Sequence, residues 1–420
     1  MAEPAGPSAA VPDPGAGQGV LITVHQLSPA PAPQATAEHV PRAASDVVIV
    51  GGGPVGAYLA VLLLQAGITV QVLEQRTGRS RHSRAIGVHP PALASLARAG
   101  IADAMTAEGV RITHGEARSA GRTVARLDFA AASAQYPFVL TLPQIRTEEL
   151  LEERLRALDP TALVRGARVE SFTDDGRCVR VCGRSGGKPF NTRASLLVAA
   201  DGARSAVRTA LGTRWSSRQL ADTYLMGDFP DHTGDGPLGV LYLEPEGIVE
   251  SFPLPGGLRR WVAHTDCLQR GATAEMLAAV VLRRTGYRLD AGANSMLSAF
   301  DVRIGRAGRL IRGRTVLVGD AAHQISPIGG QGMNLGWLDA AALAPLIAAS
   351  LRGRPVGAEL REFERRRRRD AVIASAQART NMVLGRPLPA PVLAMRNAGL
   401  ERVFQVPALG NAVARRFTMQ

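Results

Sequence analysis

Three glycines, Gly51, Gly53 and Gly56, stand in the segment GGGPVG, between the apolar run DVVIV at 46–50 and an apolar stretch over 57–66 closed by Gly67. A second apolar run, ITVQVLE, follows at 68–74. Strand, tight turn, helix and strand in this order open a doubly wound parallel sheet. Each glycine has its own task in such a turn. Gly51 permits the tight bend, Gly53 lets backbone approach a pyrophosphate, and Gly56 lets helix and strand pack closely; Val55 sits inside the turn. The helix N-terminus then faces the anion. Glu74, at the end of the second run, suits the ribose hydroxyls of an adenosine half. This pattern indicates a dinucleotide and does not separate FAD from NAD.

The segment GDAAHQISPIGGQGMN at 319–334 supplies that separation. A strand at 315–318 feeds it, so Asp320 lies at the carboxyl end of a parallel strand, where it faces the ligand crevice and can accept a hydrogen bond from a ribityl hydroxyl. Three glycines in PIGGQGMN let backbone come close to a flat ring, which makes Gly332, Met333 and Asn334 cofactor candidates and Pro327 a candidate for the flavin face. A helix read from Leu335 to Leu351 starts beside them, and its free N–H groups can stabilise charge on a reduced flavin. His323 is read as fixing the turn after Asp320 rather than as a catalytic group, because oxygen transfer from a flavin needs no imidazole.

The remaining chain divides by pattern. Residues 1–45, rich in Ala, Pro, Gly and Ser, are read as a disordered tail. Helices are read at 91–99 and 146–158, and a short strand at 195–200. Strands at 224–229, 239–243, 247–252 and 259–264, joined by Pro- and Gly-containing turns, suggest an inserted antiparallel meander. Helical patterns recur at 359–381 and 391–417. The formal charge of +13 comes almost wholly from Arg residues interspersed with acids. With no aromatic-interleaved basic motif, this argues against a nucleic-acid partner. Cys178, Cys182 and Cys267 form neither a disulfide framework nor a metal set. The apolar stretch at 59–64 is interrupted on both sides and reads as a buried helix, not a membrane span. No signal peptide is legible, so the chain is expected to be cytoplasmic.

Three further segments join the two glycine signatures: ADGARSAVR at 200–208, SRAIGVHPPALASL at 83–96 and LPQIRTEELL at 142–151. With these five, in order, the chain resembles the group A FAD-dependent aromatic hydroxylases, the para-hydroxybenzoate hydroxylase-like monooxygenases, over about residues 46–350. The resemblance implies roles for Asp201 and Arg204 in FAD and nicotinamide binding, for Arg84 near the pyrophosphate and for Gln144 against the flavin. It implies an α/β fold: a Rossmann-like FAD-binding domain (46–110, 141–213 and 301–350), an inserted β-sheet substrate domain (111–140 and 214–300) and C-terminal helices (351–420). No thioredoxin-like C-terminal domain is expected in this span.

The activity so implied is hydroxylation or epoxidation of an aromatic or polyketide-like small molecule, with NADPH or NADH and O2, through a flavin C4a-hydroperoxide, in secondary metabolism. Tyr224, Met226, Tyr242 and Phe252 are candidate pocket residues, and alternation puts Ile248, Glu250 and Phe252 on one strand face. No catalytic base is identified. Two alternatives share the fold: a flavin-dependent reductase of isoprenoid type, and a non-catalytic FAD-binding protein. Halogenases of this fold use a characteristic lysine, for which Lys188, in a polar Gly-rich turn, is a poor candidate.

Overall fold

The computed structural model describes residues 40–79, 84–130 and 133–419; the expected tail over 1–39 lies outside them. Order begins earlier than the sequence pattern suggested. The first strand, β1 (Ala44–Val50), starts at Ala44, and Arg42 already pairs with Asp159 at 2.6 Å.

β1 runs parallel to β2 (Val70–Glu74) on one side and β11 (Lys188–Ala199) on the other. The latter pairs in parallel with β18 (Thr315–Leu317). These strands are buried on both faces, which is why they read as unbroken apolar runs rather than alternating ones. β8 (Leu163–Arg165) and β17 (Ile311–Arg312) form the edges, and the hairpin of β9 (Ala167–Asp174) and β10 (Val179–Ser185) extends β11. That hairpin explains why β11 starts at Lys188, seven residues before the expected strand. Lys188 is its first residue and pairs with Ser185 across the turn.

Helix α1 (Pro54–Gln65) crosses from β1 to β2 and packs against α4 (Gln144–Leu158) and α7 (Gln331–Leu351). It begins at Pro54, ahead of the sequence reading, because proline is preset for the first helical position and lacks only an N–H that would be unpaired there. α7 likewise begins at Gln331, not Leu335, so Gly332, Met333 and Asn334 lie in its first turn. By length and apolarity alone α7 could cross a membrane, but it packs along α1 in the core of this unit, with Trp337, Ala340 and Leu343 wholly buried.

A second sheet follows the order β19–β16–β12–β15–β14–β13–β5–β6. Its members are β19 (His323–Gln324), β16 (Met296–Ala307), β12 (Trp215–Pro230), β15 (Leu258–Thr265), β14 (Val249–Leu254), β13 (Leu238–Tyr242), β5 (His114–Ser119) and β6 (Arg122–Asp128). It is antiparallel except where β13 meets β5. The boundary expected at residue 300 falls inside β16, which runs on to Ala307. Helix α6 (Ala274–Thr285) covers the back face of this sheet.

A small third sheet of β3 (Gly87–Val88), β4 (Val110–Ile112) and β7 (Val139–Thr141) lies beside helices α2 (Pro90–Ala97) and α3 (Ala102–Glu108). The short α5 (Ala206–Ala210) follows β11. The chain closes with α8 (Gly357–Gly385), α9 (Ala390–Phe404) and α10 (Pro407–Phe417), of which α9 and α10 pack on β6.

Candidate functional site

The two glycine segments, far apart in sequence, border one cavity of about 1060 Å³. At its first end, β1 delivers Gly51 with φ of +103°, a value that excludes ordinary side chains. A Cβ there would also lie 2.4 Å from the Ala200 carbonyl oxygen. At Gly56 a Cβ would lie 2.0 Å from the Gly51 carbonyl oxygen, so this glycine serves packing and does not face the cavity. Gly53 differs: it lines the cavity, and a Cβ there would meet nothing within 4 Å. α1 starts behind it with no side-chain cap, leaving the first N–H groups available to an anion. Val55 also lines this end.

Glu74, only 4% exposed, accepts hydrogen bonds from the Gly52 N–H at 2.8 Å and from Arg76 at 2.9 and 3.0 Å. Burial alone would raise its pKa, but these donors hold the carboxyl below the usual range. Asp201 lines the cavity and accepts from the Val207 N–H at 3.1 Å, while its other oxygen is buried without a partner. Arg204 is exposed at the cavity edge. Gln144, the first residue of α4, borders the cavity and donates to Glu148 at 2.8 Å. Arg84 lines it too, its guanidinium 5.7 Å above the Phe300 ring, and burial pushes its pKa down.

The second segment is held by a buried ion pair. Asp339 of α7 accepts from the Gly319 N–H at 3.0 Å and from His323 at 2.6 Å. Burial works against charge on His323, but Asp339 outweighs it, so the imidazole pKa is raised. This fixes the turn that carries Asp320, the role the sequence suggested for His323. Asp320 opens into the cavity, yet is enclosed on its other sides. That desolvation, helped by Asp339 and opposed by His323, raises its pKa. Pro327, Gly332 and Met333 line the cavity beside the uncapped start of α7. Asn334 does not. It is wholly buried, accepts from the His89 N–H at 2.9 Å, and donates to Gly87 at 2.9 Å and Gly330 at 2.6 Å. Its side chain is used up in clamping the 87–89 loop to the helix start.

Beyond this turn the cavity becomes an apolar chamber against the second sheet. Of the four candidate pocket residues, Met226 and Phe252 line it. Tyr224 and Tyr242 do not. Tyr224 faces the same side as Met226 but is only 1% exposed, stacked on Phe300, met edge-on by His264 and buried in one cluster with Ile328 and Met382. Tyr242 follows the cavity-facing Leu241, so alternation turns it to the back face, against Trp261 and Tyr287. The C-terminal helices close the far wall with Leu384, Leu400, Phe404 and Val413.

Two charged residues that sequence reasoning passed over belong to this chamber. Arg260, 1% exposed, makes two 2.7 Å bonds to Asp228 and a third to the Arg84 carbonyl, fixing that loop against the second sheet. Glu250, 7% exposed, lines the chamber without a side-chain hydrogen bond or ion pair to any described residue, and burial pushes its pKa up to about 7. A lone acid on the same strand face as Ile248 and Phe252 was the available signal.

Residues 44–378 match the family model described as FAD binding domain. The chain is 33% identical over 326 residues to a 6-methylpretetramide 4-monooxygenase of Streptomyces rimosus, covering 73% of this chain and 56% of that relative. It is 32% identical over 345 residues to a para-nitrophenol 4-monooxygenase of a Pseudomonas species, covering 77% and 82%. The crystal structure of a p-nitrophenol 4-monooxygenase from Pseudomonas putida superposes with a TM-score of 0.81 at 27% identity, covering 89% and 98% of the two chains. The chain thus spans little more than half the length of the first of these relatives and most of the others.

Proposed function

The chain belongs to the FAD-binding domain family, and from that premise we propose that it is an FAD-dependent aromatic monooxygenase. In this reading NAD(P)H and O2 are consumed, one oxygen atom enters an aromatic small molecule and the other leaves as water. When bound, FAD supplies hydride acceptance from the nicotinamide and activation of dioxygen. The observation that carries the reading is the single cavity that joins both glycine segments to an apolar chamber.

The residues present fit the cofactor. The open space over Gly53 and the uncapped α1 suit the pyrophosphate. Glu74 keeps lone pairs for a ribose hydroxyl, and Asp320 and the orphaned oxygen of Asp201 are poised for further polar contacts. The first amides of α7 would offset negative charge on a reduced ring. The first sheet would thus hold the cofactor, and the second sheet with the C-terminal helices the substrate. Met226, Phe252 and the chamber walls would exclude water and orient the ring that is oxidised. The 6-methylpretetramide and para-nitrophenol named for the relatives support an aromatic substrate here, and a cytosolic location would match the nicotinamide supply.

The test is NADPH oxidation by FAD-loaded protein with and without phenols and polycyclic aromatics under isotopically labelled dioxygen. Substrate-stimulated oxidation with label in the product is expected. Tight FAD binding with no label in any product would refute the monooxygenase reading.

A further inference from the structure

The second sheet presents one continuous row of side chains to the chamber. Register places Ala125 opposite Ala117, Ala117 beside Leu241, Leu241 opposite Glu250, Glu250 opposite Val262, and Val262 opposite Met226. All six line the cavity. Five are apolar, and the sixth is a carboxyl with no hydrogen-bond or ion-pair partner among the described residues. Burying such a group without one is costly, so its retention in a cavity wall points to a partner that arrives with the ligand.

We propose that Glu250 is the proton acceptor for a ring hydroxyl of the aromatic substrate; this rests on the monooxygenase reading. The step is a single proton transfer. The substrate O–H bond breaks, its electron pair stays on oxygen, and the proton bonds to a Glu250 carboxylate oxygen, which becomes a neutral acid. The extra electron density enters the ring ortho and para to that oxygen, where an electrophilic oxygen is accepted. The proton returns when the product regains its hydroxyl.

Among the described residues, no cation near Glu250 competes for this role. Arg260, two residues from Val262 on β15, is bound to Asp228. His264, on the other side of Val262, has its pKa lowered by burial and is neutral at neutral pH. Tyr224 on β12 stays protonated, its pKa raised by burial and by the Glu250 charge. Leu241 of β13 is apolar, and α8 contributes only Gln377, Thr380, Asn381 and Leu384 to the cavity. With its pKa near 7, Glu250 can both take and return a proton around neutrality.

The experiment measures dissociation constants of FAD-loaded wild type, Glu250→Gln and Glu250→Asp across pH. The probes are three phenols of increasing size whose hydroxyls stay protonated near neutral pH, 4-methylphenol, 2-naphthol and 2-hydroxyanthracene, each with its methyl ether. Wild type should prefer a phenol over its ether by about tenfold above neutral pH, as a charge-assisted hydrogen bond provides. That preference should fade as pH falls through the Glu250 titration, vanish in Glu250→Gln and partly return in Glu250→Asp. Ether affinity should be the same in all three proteins. Equal phenol preference in wild type and Glu250→Gln overturns the proposal while leaving the monooxygenase reading intact. Failure of every phenol and ether to bind overturns both.

Discussion

A Cβ added at Gly56 would lie 2.0 Å from the Gly51 carbonyl oxygen, whereas one at Gly53 would point into open cavity. Gly56→Ala should therefore cost about 3 kcal/mol or more through overpacking. Gly53→Val should leave the apoprotein's melting temperature within about 2 °C and weaken FAD binding about tenfold or more, because it fills the space a phosphate needs. Differential scanning fluorimetry and FAD titration of both variants check this contrast. Glu250 gives a second prediction. Its folded pKa, about 7 against 4.5, is raised, so its contribution to stability is full below about 4.5 and lost as pH rises through 7. Glu250→Gln should accordingly be more stable than wild type at pH 8, by at most about 3 kcal/mol, and no more stable at pH 4. Urea denaturation at the two pH values reads this out. The three glycines were legible in the sequence because their constraint is in the backbone and local. Asn334, Tyr224 and Tyr242 were misread because a residue's face, and what covers that face, is set by distant chain: the 87–89 loop, Ile328 and Met382, and α6.

Among the elements, the turn between β18 and α7 depends on the His323–Asp339 pair, whose partners are 2% and 1% exposed. His323→Ala would leave Asp339 buried with Arg367 3.9 Å away as its nearest remaining cation. A loss of about 3 kcal/mol is expected in chemical denaturation. Since the His323 pKa is raised, the pair's contribution is full below the ordinary histidine value and fades as pH rises through the folded one. At the other end of α8, Arg386 holds the buried Asp222 of β12 through two 2.8 Å bonds. Arg386→Ala should destabilise the protein by about 1–3 kcal/mol and quicken proteolysis within α9 and α10. The parallel strands and their helices were legible because continuous apolar runs and proline and glycine punctuation mark them. A strand around Cys182 was legible from its alternation, but its partner β9 and β16's extension past residue 300 were not, because mostly exposed polar strands carry little apolar signal.

At the scale of the molecule, the cavity is closed by chain from both sheets and by the C-terminal helices. Phe417 of α10 stacks on Phe129 at 5.9 Å and meets the His89 ring edge-on. Phe417→Ala should leave FAD binding unchanged but let water reach the chamber, so that NADPH consumption exceeds product formed; coupling ratios measure this. The six-strand row across the second sheet has a separate meaning for descent. Its side chains lie outside the first sheet, the Gly51–Gly56 turn and the His323 pair, and meet the second glycine segment only through the cluster that holds Ile328. A lineage can exchange Leu241, Val262 or Met226 one at a time, reshaping what the chamber admits while the cofactor-binding sheet is inherited unaltered. Such a wall lets new ligand preferences arise by drift among neighbours of Glu250 rather than by rebuilding the cofactor site.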